Sequence, residues 1–376
     1  MIYLDNAATT FKKPKNVYRA VKECLKSYSA NAGRGGHRAS LAAAEKIYET
    51  REALCDFFTF SHPENVVFTL NATYALNMAI KGLVTEKCHI ITSDVEHNSV
   101  LRPLNAIKER IGAQYSHFNS RAADLEKEIE RHIKKNTRFI ISTLASNVDG
   151  REIPIGLLSR IAKKHNIGLI ADASQYAGHK RIDLTKTPCS ALCAPAHKSL
   201  FGISGLGFAI FDGNSQISTL VEGGSGNFSK SIYMPEKLPE RLEGGTLPTP
   251  AICALKEGVS FIKGVGIEEI EEASIRIIEK TREMILSVPN VIYYGSGFGI
   301  LSFNLKGYSS ETVSNMLDEY GICVRGGFHC APTAHMALGT ETRGTVRVST
   351  SYFSSERDIY CLYRSLKKIE ERTKII

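Results

Sequence analysis

The sequence predicts an α/β fold: a large domain on a mostly parallel sheet covered on both faces, followed by a smaller C-terminal α+β domain. Three observations carry this. Short apolar runs alternate with helix-period segments from Val66 to Phe211, the rhythm of strand–helix–strand crossovers. The runs are apolar at nearly every position, as in Ile167, Leu169, Ile170 and Ala171 before Asp172, which is how strands buried on both faces read. After Glu222 the pattern changes to two glycine-rich loops, Pro248 and Pro250, and long amphipathic helices, so a second core is expected. The chain therefore divides into an N-terminal arm (1–14), a large domain (15–250) and a small domain (251–376).

Taken in order, Tyr3 and Leu4 read as a short strand that breaks at Asp5 and Asn6, before a helix starting near Asn16. Residues 28–40, YSANAGRGGHRAS, form a loop made flexible by Gly33, Gly35 and Gly36 and polar by Asn31, Arg34 and His37. It reads equally as a flexible arm and as a substrate-side loop. Residues 41–58 carry apolar side chains at Leu41, Ala44, Ile47, Leu54 and Phe58, a helical spacing. A strand over 66–69 then leads through Asn71-Ala72-Thr73 into a helix ending near Leu83. Free N–H groups and the helix dipole meet at such a turn, making it an anion site or an ordinary N-cap. Strands over 89–92, 114–118, 138–144, 190–194 and 207–211 continue the alternation, with helices ending near Ile111, Ile133 and His165. Past 250, helices are expected over 251–262, 267–288, from Ser310 and over 354–371, with strands over 300–305, 321–324 and 345–349.

The stretch from 170 to 198 organises the rest. One strand ends at Asp172, and a second, of small residues, delivers His197 and Lys198 to the same sheet edge. An acid and an amine side by side suit pyridoxal phosphate: a lysine holds its aldehyde as a Schiff base and an acid keeps its ring nitrogen protonated. Each residue also has a plain reading, as a helix cap and as a solvated surface lysine. Thr73, His97, Asn147, Asp172, Gln175, His197 and Lys198 all fall at strand ends, more polar groups than capping requires. A second place for chemistry is VRGGFHCAP, 324–332. Cys330 follows two glycines, beside His329 and near Arg325, an exposed electropositive setting that favours a thiolate. Arg347, among small and β-branched neighbours, either pairs with an acid or clamps a carboxylate.

The 376 residues are 43% hydrophobic and 23% charged, an ordinary globular composition. The formal charge of +8 is spread along helices and gives a modest pull toward small anions, with no block suited to nucleic acid. No run is long enough to span a membrane and no secretory leader opens the chain, so a cytoplasmic location is expected. The nine cysteines show no paired metal spacing, and neither a metal site nor a disulfide framework is expected. The other eight are read as small core residues. No GxxxxGK[ST] or GxGxxG motif supports nucleotide binding.

Together DNAATT, EHNS, SNVDG, DASQ, HK, EGGT and RGGFHCAP resemble the class V aminotransferase group of pyridoxal-phosphate enzymes. Within it the chain is most similar to the cysteine desulfurases of the SufS-like and selenocysteine-lyase-like branch, over nearly its whole length. The resemblance implies the fold type I of PLP-dependent transferases and a homodimer. It also implies conversion of L-cysteine to L-alanine, with sulfur passing to a cysteine as a persulfide and then to an acceptor protein, as in iron–sulfur cluster assembly. It implies Lys198 as the Schiff-base lysine, Asp172 on the pyridine nitrogen, Gln175 on the ring hydroxyl and His97 stacked on the ring. Asn147 lies near the ring hydroxyl and substrate, and Ala72, Thr73 and His197 at phosphate positions. Thr246 would reach the phosphate of the other subunit. Cys330 would form the persulfide, Arg347 would hold the substrate carboxylate, and Asn31 and Arg325 would lie on the substrate side. The alternatives are L-selenocysteine as substrate of a selenocysteine lyase, an aminotransferase, and a non-catalytic sulfur carrier. The chain departs from the pattern at Pro195, Asn71-Ala72, Tyr74 and Gly33, so that backbone N–H groups, Thr73 and His197 carry more of the phosphate.

Overall fold

The computed structural model describes residues 1–33, 35–227 and 229–372; Arg34 of the polar loop lies outside them. Strand β1 (Ile2–Tyr3) leads through an irregular arm into α1 (Lys15–Ser27) and α2 (Arg38–Phe58). The next elements are β2 (Val66–Thr69), α3 (Ala72–Leu83), β3 (His89–Ser93), α4 (Asn98–Ile111), β4 (Gln114–Phe118), α5 (Leu125–Glu130) and β5 (Thr137–Thr143). They continue with α6 (Ile155–His165), β6 (Gly168–Asp172), β7 (Ala191–Pro195) and β8 (Gly207–Phe211). The C-terminal part holds α7 (Thr249–Val265), α8 (Ile267–Leu286), β9 (Val291–Gly297), β10 (Ile300–Leu305) and α9 (Ser310–Glu319). It closes with β11 (Ile322–Cys323), α10 (Pro332–Leu338), β12 (Val346–Ser349) and α11 (Glu356–Arg372).

The main sheet has seven strands in the order β2-β8-β7-β6-β5-β3-β4. Only β8 runs antiparallel to its neighbours. Both faces are covered, which is why the strands lack polar alternation. Leu169 and Ala171 of β6 point into one core and Ile170 into the other; Phe208 and Ile210 of β8 oppose Ala209 and Phe211 in the same way. Because β2, β3, β5, β6 and β7 share one direction, the residues after them arrive at one rim of the sheet.

Local chemistry fixes where the helices begin. Asn71 caps α3 by accepting the N–H of Tyr74, and Gly112, at φ 73°, ends α4 in the left-handed region. Helix α2 starts at Arg38, three residues before the apolar spacing indicated, because the His37 ring accepts the N–H of Ser40. His37 is thus a helix cap.

A three-stranded antiparallel sheet, β12-β10-β9, packs on α8, α9 and α11 to form a separate core around Leu301, Phe303, Val346 and Val348. β1 joins this part, pairing in parallel with β11. The two cores share the helices that follow residue 250. Ile252, Leu255 and Val259 of α7 belong to the large core, as do Ile267 and Ile270 of α8, whereas Ile277, Ile278 and Ile285 belong to the small one. We propose a division within α8, with the start of the arm assigned to the small domain.

The two parts touch where Gly150 meets Gly297. Gly150 has φ 69°, and a Cβ added there would lie 1.8 Å from the Gly297 carbonyl oxygen. Gly150→Ala should therefore lose about 2–4 kcal/mol of stability, from left-handed strain plus displacement of a backbone contact. Urea unfolding measures this, and an unchanged midpoint would contradict the close packing.

Candidate active site

Strand polarity brings the polar strand-end residues into one cavity. Ala72, Thr73, His97, Asn147, Asp172, Gln175, His197 and Lys198 all line it, joined by Ser99, Thr143 and Ser174. Asp172 is the last residue of β6 and is buried. Its Oδ1 accepts the Ser174 N–H at 2.9 Å, and burial holds its carboxyl above the usual range, against the Ser174 hydrogen bonds and the nearby Lys198 charge. Among the described residues no cation forms an ion pair with it. A buried carboxylate without a cation, on a cavity wall, is a receptor for a positively charged N–H.

Lys198 faces the same space. Desolvation lowers its amine to about 8, opposed by the Asp172 charge and reinforced by Arg347 and Arg325. The amine thus keeps a larger neutral fraction near neutral pH than a solvated lysine does, as a nucleophile or base requires. His97 caps α4, its Nδ1 accepting the Ser99 N–H at 3.0 Å, so the ring proton sits on Nε2. Desolvation, followed by the charges of Lys198 and Arg325, lowers it to about 4. His197 is likewise lowered to about 4 by desolvation, with Nδ1 3.0 Å from Thr9 Oγ1.

The N-terminus of α3 also lines the cavity. Among the described residues the N–H groups of Ala72 and Thr73 have no acceptor, as at a helix N-terminus that can receive an anion. Thr73 Oγ1 lies 2.8 Å from Ser99 Oγ, linking the starts of α3 and α4. Strand β8 opens with Gly207 against this turn; a Cβ there would lie 2.7 Å from the Ala72 nitrogen.

Asn147 and Gln175 are each partly committed. Asn147 Nδ2 donates to the His329 carbonyl at 2.7 Å, and Gln175 Nε2 donates to the Ala7 carbonyl at 3.0 Å. Each amide keeps a second N–H. Cys330 is exposed and lies outside the cavity walls, on the loop before α10. Its carbonyl accepts the Asn98 N–H at 2.7 Å, beside His97. His329 and Cys330 have φ of 49° and 57°, two successive non-glycine residues in the left-handed region. The bonds from Asn147 and Asn98 hold that strained turn in place.

Arg347 is buried, with Nη2 on Asp5 Oδ1 at 2.7 Å and Nη1 on the Asn147 carbonyl at 2.9 Å. Of the two readings of this arginine, the structure displays the pairing with an acid. Arg325 is its cross-strand neighbour through two backbone hydrogen bonds. Asn31 and Thr246 are not brought to the cavity: they meet on the surface, Nδ2 to Oγ1 at 3.3 Å.

The sequence reading passed over Asp5, Lys13, Glu96, Ser99 and Ser174. Glu96 is fully buried beneath His97 and accepts the N–H groups of Ser93 and Thr143, joining the ends of β3 and β5. Burial pushes it up to about 8. A charged residue beside the singled-out His97 was the available signal. Lys13 donates to the His197 carbonyl at 2.7 Å, and burial lowers its amine to about 8.

Residues 2–362 match the family aminotransferase class-V. The chain is 32% identical to a probable cysteine desulfurase of Methanothermobacter thermautotrophicus, covering 98% of this chain and 94% of the relative. It is 28% identical to a cysteine desulfurase of Wigglesworthia glossinidia brevipalpis, with 99% and 93% covered. The apo structure of a cysteine desulfurase from Thermococcus onnurineus superposes with a TM-score of 0.89 at 27% identity, over 98% of this chain and 94% of that one.

The lowered amine gives a direct test. Competitive acetylation of the apoprotein, read by peptide mass spectrometry across a pH series, should show half-maximal reactivity of Lys198 near pH 8. A midpoint among those of the solvated lysines would contradict the desolvation of this amine.

Proposed function

The chain belongs to the class-V aminotransferase family, and from that premise we propose that it is a cysteine desulfurase, converting L-cysteine to L-alanine and taking the sulfur onto Cys330. Its fold is type I of the pyridoxal-phosphate-dependent transferases. The observation that carries the proposal is the pairing of two sites. A cavity with an unpaired carboxylate and a lowered lysine lies beside a loop that presents an exposed cysteine, tied by Asn98 to the residue after His97.

The donor set fits pyridoxal phosphate. Asp172 would meet the ring nitrogen, Lys198 the aldehyde, and the remaining N–H groups of Asn147 and Gln175 the ring hydroxyl. The open N–H groups of Ala72 and Thr73, the Thr73 hydroxyl and His197 would hold the phosphate, in a cradle that Gly207 keeps clear. Bound there, the cofactor withdraws electrons from the substrate α-carbon.

The protein's own residues do the rest. Arg325 and Arg347 orient the substrate carboxylate. Lys198 Nζ, whose lowered pKa of about 8 leaves a neutral fraction to accept a proton, takes the α-proton. His97, neutral at pH 7, offers its Nε2–H beside the reacting atoms. The Cys330 thiolate attacks the substrate sulfur: an S–S bond forms, the C–S bond breaks, its electron pair goes to the β-carbon, which takes a proton, and the proton held by Lys198 returns to the α-carbon. One thiol and L-cysteine become one persulfide and L-alanine, so the exchange balances without an outside oxidant.

The working form is a homodimer, in which Thr246, held on the surface by Asn31, reaches the phosphate of the partner's cofactor. The persulfide sulfur passes to an acceptor protein, with iron–sulfur cluster assembly as its use. The cytoplasm suits nine unpaired thiols. Among the described residues no helix is long and apolar enough to cross a membrane.

Two variants separate the halves of the chemistry. Cys330→Ala should retain cofactor and bind L-cysteine, as followed by absorbance, while releasing little sulfide. Full sulfide release would show that Cys330 is structural. Arg347→Ala should raise KM for L-cysteine at least tens-fold, because losing a buried charged partner costs about 2–5 kcal/mol. An unchanged KM would remove Arg347 from the substrate site.

A further inference from the structure

Arg347 is the guanidinium on which the preceding reading relies for the substrate carboxylate, yet no side of it is open. The residue is 1% exposed; Nη2 is taken by Asp5, Nη1 by the Asn147 carbonyl, and Nε is sealed without a partner. An incoming carboxylate must replace something, and only one of these partners is itself a carboxylate. Asp5 is also the accessible one, with its side chain 20% exposed.

Asp5 is free to yield. The arm around it is fastened by bonds that do not use its carboxylate: Leu4 N–H to the Cys323 carbonyl, Asn6 N–H to the Ser349 carbonyl, and Asn6 Nδ2 to that same oxygen. Side-chain rotation alone can lift the carboxylate away. The charges nearby also call for another anion. Arg347, Arg325 and Lys198 interact with one another there, and the anions that act on them most strongly are Asp5 and Asp172. Among the described residues the Arg325 side chain has no hydrogen-bond acceptor and no ion-pair partner.

We propose that Asp5 is a specificity-determining residue: its carboxylate stands on Arg347 in the place of the substrate's, and the substrate binds by displacing it. This rests on the carboxylate role given to Arg347 above. The step exchanges one carboxylate for another, with no covalent change. Its consequence is selection, because a thiol amine without a carboxylate cannot release the guanidinium from Asp5.

Two variants of the full-length holoenzyme test this. Asp5→Asn keeps the size and an oxygen acceptor but removes the competing charge, so KM for L-cysteine should fall about tenfold with kcat less affected. A merely structural Asp5 would give a raised KM. Asp5→Ala leaves the guanidinium without its anionic partner, so its thermal midpoint should drop in sodium chloride and recover in sodium acetate of equal ionic strength. The wild type should not distinguish the two salts. An unchanged or raised KM in Asp5→Asn overturns the proposal, and this measurement decides alone if Asp5→Ala does not fold. The thermal comparison needs no turnover. If the wild type makes no alanine, the desulfurase reading fails, and acetate recovery then decides for Asp5, its absence overturning the proposal.

Discussion

The carboxyl group of Asp172 is withdrawn from water with no cation paired to it among the described residues, and the surrounding site is arranged around that constraint. Burial alone raises it, and two features bring it back toward the charged form: hydrogen bonds from Ser174 and the charge of Lys198. The same proximity acts in the other direction, supporting the charge on Lys198 while desolvation lowers it to about 8. Asp172 also adds to the rise of Glu96, one strand-end away beneath His97. Placing these groups together costs stability, which the two-sided apolar core of the sheet supplies. Such a cost is tolerated where a bound cation-bearing ring relieves it.

A second constraint is mechanical. The large and small cores are separate, and the site lies where they meet. The arm crosses that junction residue by residue. Asp5 and Asn6 hold β12, Ala7 accepts from Gln175, and Thr10 and Lys13 donate to the His197 carbonyl. The loop of Cys330 crosses it in the opposite sense, its carbonyls held by Asn147 and Asn98 of the large domain. Relative motion of the cores would therefore shift Lys198, Arg347 and Cys330 together. Order in the arm and in the left-handed turn at His329-Cys330 fixes how these three residues stand to one another.

Much of this was legible in the sequence, for identifiable reasons. The parallel sheet announced itself because strands buried on both faces are apolar throughout, as 167–171 are, and because each ends in a polar residue at one edge. Strand β9 escaped: all seven of its residues are half-buried, so VIYYGSG has no alternation, and two glycines break its pattern. Pro248 and Pro250 look like a linker in the sequence, whereas they open α7, which packs on the large core. Arg347 was left between two readings because sequence does not show which acid lies opposite, and Asp5 is 342 residues away. Asn31 and Thr246 could be joined only through the fold, since no local pattern connects them.

The central claim is that one cavity and one cysteine cooperate in moving sulfur. The most direct measurement is a single-turnover reaction of the purified holoprotein with L-cysteine in the absence of reductant. Alanine is quantified alongside peptide mass spectrometry of the loop from Gly326 to Pro332. The account predicts alanine in equal amount to Cys330 carrying one additional sulfur atom. Alanine without a modified Cys330, or a keto acid in place of alanine, would contradict it.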